Sequence, residues 1–472
     1  MFRRAPIEVP LLSRMLRETP RALWWILASS TALKLLLIWP AADLEPMGDQ
    51  LEYLTAARSL VEKGVVDYFN PSWDEAHAPP VMTYFLAASY RIAGEEGYRQ
   101  LARFVQVLLS AVTVLLVYGI CARFLSRRTA LLTTGLVAFY PNLVAFSHYF
   151  WSETIYIFLL VAVVALLLRG SDSPSGGWLL AAGLVSGVAS LTRSIFVLQL
   201  PLLVLWLLGC SRADPRRRLV LASLFLAGVC AVVLPWSVRN TLRYDRFLLI
   251  DTNAGNVIYK NLNSIGPESH DLGMNVRRIE LRNSVRKQIP PRPRVEFENI
   301  VDRNNAEIRA GLEYVLEHPA HYLRQTRLRL LYFSNPSSFL IRHLRRHFYG
   351  DLPPLVTEPL VLLAMGSAMF VMAFSLVGLV MGPWSRERLL LALLALGHAL
   401  VHVLLIATSR YRLPLVPLLA PFATDALVRF RELLDLARYG RRWLLLAPAL
   451  ALLILAWAST LPASLPWLAV GS

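Results

Sequence analysis

The sequence predicts an all-α protein that crosses a membrane about eleven times, and three observations carry this expectation. Runs of about 18–24 nearly uncharged residues recur from end to end, each long enough to cross a hydrocarbon core of roughly 30 Å as a helix. Hydrophobic residues make up 56% of the 472 and charged residues only 17%, so several soluble domains of the same total length are excluded. The net charge of +16 is spread as short Lys/Arg clusters between the apolar runs. Topology selection produces that pattern, and it points away from a nucleic-acid surface.

The first run, Ala22 to Ile38, is flanked by Arg14, Arg17 and Arg21. Its length and the many runs after it make it a retained signal anchor. Spans are expected at about 22–41, 100–121, 129–147, 152–168, 178–192, 195–209, 219–237, 357–381, 389–407, 411–427 and 443–459. The fifth and sixth are short and meet near Arg193, as a tilted or broken pair would. If the N-terminus is cytoplasmic, so are the basic segments 123–128, 211–218, 384–388 and 429–442, and every second connection obeys the positive-inside rule.

The opposite face then receives the acidic loop 42–98, the uncharged turn "YPNLVAFSHYFW" and the long segment 237–356. The first loop holds two helix-like stretches, the second opening on Pro79 and Pro80, and these are expected as juxtamembrane helices. The long segment is rich in arginine and broken by "KQIPPRPRVEF", and is expected to form a small external domain. The chain thus divides into an N-terminal transmembrane module (1–236), the external segment (237–356) and C-terminal spans (357–472). The absence of an internal repeat argues against the inverted repeats of many transporters. Cys121, Cys210 and Cys230 fall in or beside spans and give no disulfide framework, and no CxxC, P-loop or GxGxxG pattern is present.

Chemistry-bearing residues collect on the non-cytoplasmic face. Asp49 opens a helical pattern with Glu52 and Tyr53 three and four residues on, which suits either an N-cap or an interfacial carboxylate. Glu153 stands at the external mouth of the fourth span, where a carboxylate reaches water at little cost. Arg193, Arg239, Arg410 and Arg412 fall on the same side. An arginine there suits either interfacial anchoring or, through its rigid fork, phosphate binding in a partly dry site. Lys34, within the first span, is expected to snorkel outward, with marking the donor cavity as the alternative. His398 and His402, at i and i+4, suit a buried polar contact better than a metal pair. The basic stretch Arg277 to Arg294 reads as a solvated or lipid-facing loop, with gating of an acceptor's path as the alternative.

Carboxylates able to take a proton, facing guanidinium groups able to hold a phosphate at a membrane surface, suit transfer from a lipid-linked phosphate donor. Several strings here resemble the polyprenyl-phosphate-dependent GT-C glycosyltransferases, notably the protein-mannosyltransferase-like group that includes the lipid A aminoarabinose transferases. They are "GDQLEY" with "AARSLVEKG", "APPVMTYFLAASYRIAG", "SETIYIF", "ASLTRSIF", "LPWSVRN" with "AGNVIYKN", "LEHPAHYLRQTRLRL" and "SRYRLPLVPLL", in order along most of the chain. The resemblance implies juxtamembrane helices beside a transmembrane bundle and a site on the non-cytoplasmic face of the inner (plasma) membrane. It implies an inverting transfer of a sugar from a polyprenyl phosphate to a lipid, glycan or protein hydroxyl, with no nucleic acid involved. Asp49 is then the base and Glu153 the acidic position that aids the acceptor or a divalent metal. Arg193, Arg239, Arg410 and Arg412 are the phosphate-binding set, with Glu52, Tyr53, His77 and Tyr411 in support.

The sequence departs from the family pattern at Gln50, where many relatives carry a second acid, and at Ala78, where the aminoarabinose transferases carry a lysine before the prolines. Two other functions fit a polytopic chain with a large external segment. An O-antigen-type polymerase or ligase would rely on arginines and a histidine within 237–357. A lipid or sugar transporter would place charges near span centres.

Overall fold

The computed structural model describes residues 20–70, 73–172, 175–263 and 299–469, and among them every regular element is helical. Helix α1 (Arg21–Leu36) leads to the juxtamembrane helix α2 (Asp49–Glu62) and then to α3 (Pro80–Cys121). Pro80 starts α3 at a position whose N–H would have no partner in any case. The 42-residue α3 is two helices joined at Gly94 (φ 68°, ψ −177°), a conformation open cheaply only to a residue without a Cβ. Residues 80–93 therefore lie beside α2, and 95–121 form the span. Leu54 and Ala57 of α2 join Met82 and Leu86 of α3 in the main core. The ion pair over this contact, Arg58–Glu95 at 2.9 Å, is exposed, as is the Arg58–Glu62 pair within α2, and pairs exposed in this way add little to stability.

The span expected at 129–147 is divided into α4 (Arg127–Ala138) and α5 (Pro141–Phe146), because Pro141 cannot continue the hydrogen-bond ladder of the first piece. An irregular, buried stretch, 147–152, then leads into α6 (Glu153–Asp172). The short fifth and sixth spans are α7 (Gly176–Thr192) and α8 (Leu200–Cys210), broken apart at Arg193 by a 3-10 turn, Ser194–Gln199. Helix α9 (Pro215–Tyr244) runs on through Pro235 beyond the expected end of its span. The segment 237–356 thus begins inside a helix and supplies α10 (Asn253–Asn263), α11 (Ile300–Glu317), α12 (Pro319–Phe333) and α13 (Phe339–Arg345). The basic stretch 277–294 lies outside the described residues.

The chain ends in α14 (Pro354–Met381), α15 (Arg386–Leu404), a 3-10 turn at Ser409–Arg412, α16 (Leu415–Val428), α17 (Phe430–Leu433) and α18 (Leu436–Ala469). Among the described residues seven helices are long and apolar enough to cross a membrane: α1, α3, α6, α9, α14, α15 and residues 439–459 of α18. The helices α7, α8 and α16 are apolar but shorter. This is a multi-pass membrane architecture.

Two polar layers mark the ends of the bundle. At one end Asp172 pairs with Arg123 and Arg386, and Arg388 pairs with Asp425 at 2.8 Å. At the other, Glu153 at the start of α6 meets Arg193 at the end of α7. Between the layers α7 and α9 approach backbone to backbone. A Cβ on Gly183 would lie 2.0 Å from the Phe225 carbonyl oxygen, and one on Gly228 would lie 2.5 Å from that of Leu180. Helices in lipid associate through close approach of this kind. Gly228→Leu is therefore expected to separate α7 from α9 and to lower the thermal unfolding midpoint of the detergent-solubilised protein by several degrees. An unchanged midpoint would show that this contact is not needed.

Candidate active site

Asp49 is the first residue of α2 and follows Gly48, whose φ of 58° and ψ of −133° suit glycine alone. The cap position itself is held by Gly48, which has no side chain to cap with. The Asp49 Oδ2 lies 2.6 Å from Arg410 Nη2, so the carboxylate is engaged by an arginine 361 positions away. The aromatic and amide neighbours fix this corner. Gln50 Oε1 accepts the Phe150 N–H at 3.0 Å, so the residue standing where relatives carry a second acid pins α2 to the 147–152 stretch.

That stretch presents Trp151 and delivers Glu153, whose side chain is 2% exposed. Arg193 Nη1 donates to Glu153 Oε1 at 2.7 Å, and Arg410 Nε lies 3.7 Å from the same oxygen. Two carboxylates and two guanidiniums thus alternate in one string, Asp49–Arg410–Glu153–Arg193. Tyr411 fills its centre, with the Arg193 guanidinium carbon 4.8 Å and that of Arg410 5.1 Å from the ring centroid. His398 Nε2 donates to the Tyr411 carbonyl at 2.8 Å, and the His402 ring stacks on Tyr411 at 4.5 Å. The pair of histidines read from the sequence therefore positions the 3-10 turn that carries Arg410.

The string forms part of the wall of a cavity of ≈ 670 Å³, which Tyr53, His77, Ala78 and Tyr411 also line. That is the size of a small-molecule site. His77 stacks on Trp73 with ring centroids 3.9 Å apart. Burial acts to raise the Asp49 carboxyl, but the Arg410 charge and hydrogen bond, helped by Arg193 and His77, outweigh it and hold the group below its ordinary value. Burial, with the Asp49 charge beside it, raises the Tyr53 phenol above its ordinary range, so Tyr53 faces the cavity as an O–H donor.

Three residues read from the sequence as parts of the site stand elsewhere. Arg239 is occupied by Glu75 and stacks on Trp236 at 4.8 Å. Arg412 is buried among the backbone carbonyls of Phe333, Asn335 and Ser337 and ties α12 to the bundle. Glu52 accepts the Asn70 N–H at 3.0 Å and holds the loop after α2. Lys34 does not snorkel: it is 1% exposed and its Nζ donates to Ser110 Oγ at 2.9 Å. Arg410 lies between the two carboxylates in this structure. Among the described residues no three His, Cys, Asp or Glu side chains group as metal ligands.

One member of the wall escapes the sequence pattern. Asp251, in the connection between α9 and α10, lines the cavity and is 7% exposed. Burial pushes its carboxyl up to about 6, against the pull of the Ser194 hydroxyl and the Asn253 N–H and with a further push from Asp74. Its position two residues before a helix makes it look like a cap, and no motif sets it apart.

Comparison with known proteins agrees with the architecture. Residues 77–238, about a third of the chain, match the family model for dolichyl-phosphate-mannose-protein mannosyltransferases. The match includes Glu153 and Arg193 and stops short of Asp49 and Arg410. No curated protein sequence matches the chain. Among solved structures it is similar to ArnT from Cupriavidus metallidurans bound to undecaprenyl phosphate, with 18% identity and a TM-score of 0.50 over 90% of this chain and 63% of that one. It is also similar to the Archaeoglobus fulgidus oligosaccharyltransferase in complex with zinc and sulfate, with 15% identity and a TM-score of 0.51 over 92% of this chain and 53% of that one. The chain thus spans less than two thirds of either, and at these identities the likeness is one of fold.

Proposed function

We propose, from the fold shared with the solved ArnT and oligosaccharyltransferase structures and from the partial match to the mannosyltransferase family model, that the chain is an inverting GT-C glycosyltransferase that uses a polyprenyl phosphate donor. It moves a sugar from a polyprenyl phosphate to a hydroxyl of an envelope acceptor at the non-cytoplasmic face of the inner membrane. The observation that carries the reading is the alternating string of carboxylates and guanidiniums along the cavity wall. The undecaprenyl phosphate bound in the ArnT structure supports a donor of that class, and the basic cytoplasmic loops support the sidedness.

The reaction follows from the string. Arg410 is shared between Asp49 and Glu153, and a lipid phosphate entering the cavity competes for it. As Arg410 turns to the phosphate, Asp49 loses the charge that holds its pKa down and becomes a stronger base. The Asp49 carboxylate then takes the proton of the acceptor hydroxyl, whose oxygen attacks the anomeric carbon from the face opposite the phosphate. The bond from that carbon to the phosphate oxygen breaks, and its electron pair leaves with the lipid phosphate, which Arg410 and Arg193 stabilise. Glu153 keeps Arg193 in place throughout. Among the described residues, segment 237–356 adds no arginine or histidine to the cavity wall, so nothing there favours the polymerase or ligase reading.

The test is reconstitution in proteoliposomes with a panel of undecaprenyl-phosphate sugars and envelope extract as acceptor. Mass spectrometry should detect free undecaprenyl phosphate and a glycosylated product in equal amounts, and NMR should show the anomeric configuration inverted. Sugar or lipid crossing the bilayer with no covalent product would instead establish a transporter.

A further inference from the structure

The mechanism uses Asp49, Glu153 and two arginines and leaves one buried carboxyl of the same cavity without a task. Asp251 Oδ1 accepts the Asn253 N–H at 3.0 Å. Its Oδ2 is buried and accepts no hydrogen bond of ordinary geometry within the chain, the nearby Ser194 hydroxyl included. An unmet buried oxygen carries its whole desolvation penalty, which a ligand relieves by supplying the missing partner.

The surroundings say what such a ligand is. On one side lies Ser194, the residue after Arg193, so Asp251 neighbours the wall assigned to the phosphate. On the other side, Thr252 lines a second, polar cavity of ≈ 90 Å³ that shares Trp73, His77, Asn256 and Asn304 with the larger one. Asp74, which also lines it, is already engaged by the Thr252 hydroxyl at 2.9 Å, the Tyr244 hydroxyl at 3.2 Å and the Ala76 N–H at 2.8 Å. Glu307, the annex's other carboxylate, is paired with Arg303 at 3.4 Å, so Asp251, in the wall of the larger cavity, is the carboxyl left to bind. A phosphate is repelled by a carboxylate and an acyl chain offers it nothing, whereas a polyhydroxylated ring supplies both donors and acceptors.

We propose that Asp251 is a specificity-determining residue that binds, through Oδ2, a ring hydroxyl of the sugar carried by the lipid-phosphate donor. The assignment rests on the glycosyltransferase reading and places the sugar between the arginines and the polar annex. Asp251 makes and breaks no covalent bond.

The experiment separates the sugar from the lipid phosphate. Full-length protein in nanodiscs is titrated with undecaprenyl phosphate alone and with undecaprenyl phosphate carrying mannose, glucose, N-acetylglucosamine or aminoarabinose. The wild type should bind at least one sugar-bearing lipid about tenfold or more tightly than the bare lipid phosphate. Asp251→Ala should abolish that difference while leaving the affinity for bare undecaprenyl phosphate within about twofold, and Asp251→Asn, whose amide still hydrogen-bonds, should keep part of it. Thermal unfolding of the near-isosteric Asp251→Asn identifies a folding defect and keeps the comparison usable if the alanine variant is unstable. Equal losses for bare and sugar-bearing lipids, no loss for either, or no gain from any sugar overturns the role of Asp251 and leaves the glycosyltransferase reading standing. A wild type that binds none of the lipids overturns both.

Discussion

Asp49→Asn should lower kcat for sugar transfer by about 10²–10⁴-fold, the usual contribution of a general base, with little change in the affinity for undecaprenyl phosphate. The amide keeps the shape of the carboxylate and the start of α2, so the cavity stays formed. What it loses is the ability to take the acceptor's proton. Arg410 also loses one of its two carboxylate partners and is freer to meet a phosphate, so bare undecaprenyl phosphate should bind equally well or more tightly. That opposition, slower turnover with undiminished donor binding, distinguishes a lost base from a collapsed site. A variant that turns over at the wild-type rate would remove Asp49 from the chemistry.

The fold was legible because a bilayer leaves few choices. A backbone in hydrocarbon must satisfy its own hydrogen bonds, so each apolar run of sufficient length becomes a helix. Charges near the ends of the runs then sort by side. That sorting brought Asp49, Glu153, Arg193 and Arg410 to one face on paper, although 361 positions separate the first from the last. The breaks were harder to read. Pro141 was visible as a residue but not as the divider of a span, and the φ of Gly94 depends on the two helices it turns against their neighbours.

The misplaced residues share one cause. Sidedness and residue type name the groups able to bind a ligand, but not which of them the protein itself will occupy. Arg412 is taken by three carbonyls after α12, Arg239 by Glu75 and Glu52 by a loop N–H. Those partners are distant in sequence or lie in irregular backbone, where no periodicity announces them. Asp251 failed in the opposite sense, since its local pattern resembles a cap and only the tertiary structure leaves one oxygen unmet.

The two arginines of the site should fail differently when replaced. Arg193 serves Glu153, which is 2% exposed and has Arg193 at 2.7 Å against Arg410 at 3.7 Å. Arg193→Ala leaves a buried carboxylate short of its nearer partner, a loss of about 3–5 kcal/mol for buried pairs, so it should lower the unfolding midpoint first and activity as a consequence. Arg410 serves Asp49, whose side chain is 40% exposed to the cavity, so Arg410→Ala should destabilise less. It should instead cost about 10²–10³-fold in kcat through lost stabilisation of the departing phosphate. Arg410→Lys should recover only part of that, because an ammonium keeps the charge and loses the fork. The pH dependence adds a second readout. In the free protein Asp49 has a lowered pKa, so the charged base is present above that value and is lost only as pH falls through it. Wild-type kcat/KM should therefore show no acid limb from Asp49 above about pH 4. Without the Arg410 charge, burial acts on Asp49 with less opposition and the limb should move upward. A limb that stays in place in Arg410→Ala would mean that the pairing seen between Asp49 and Arg410 does not set the basicity of Asp49.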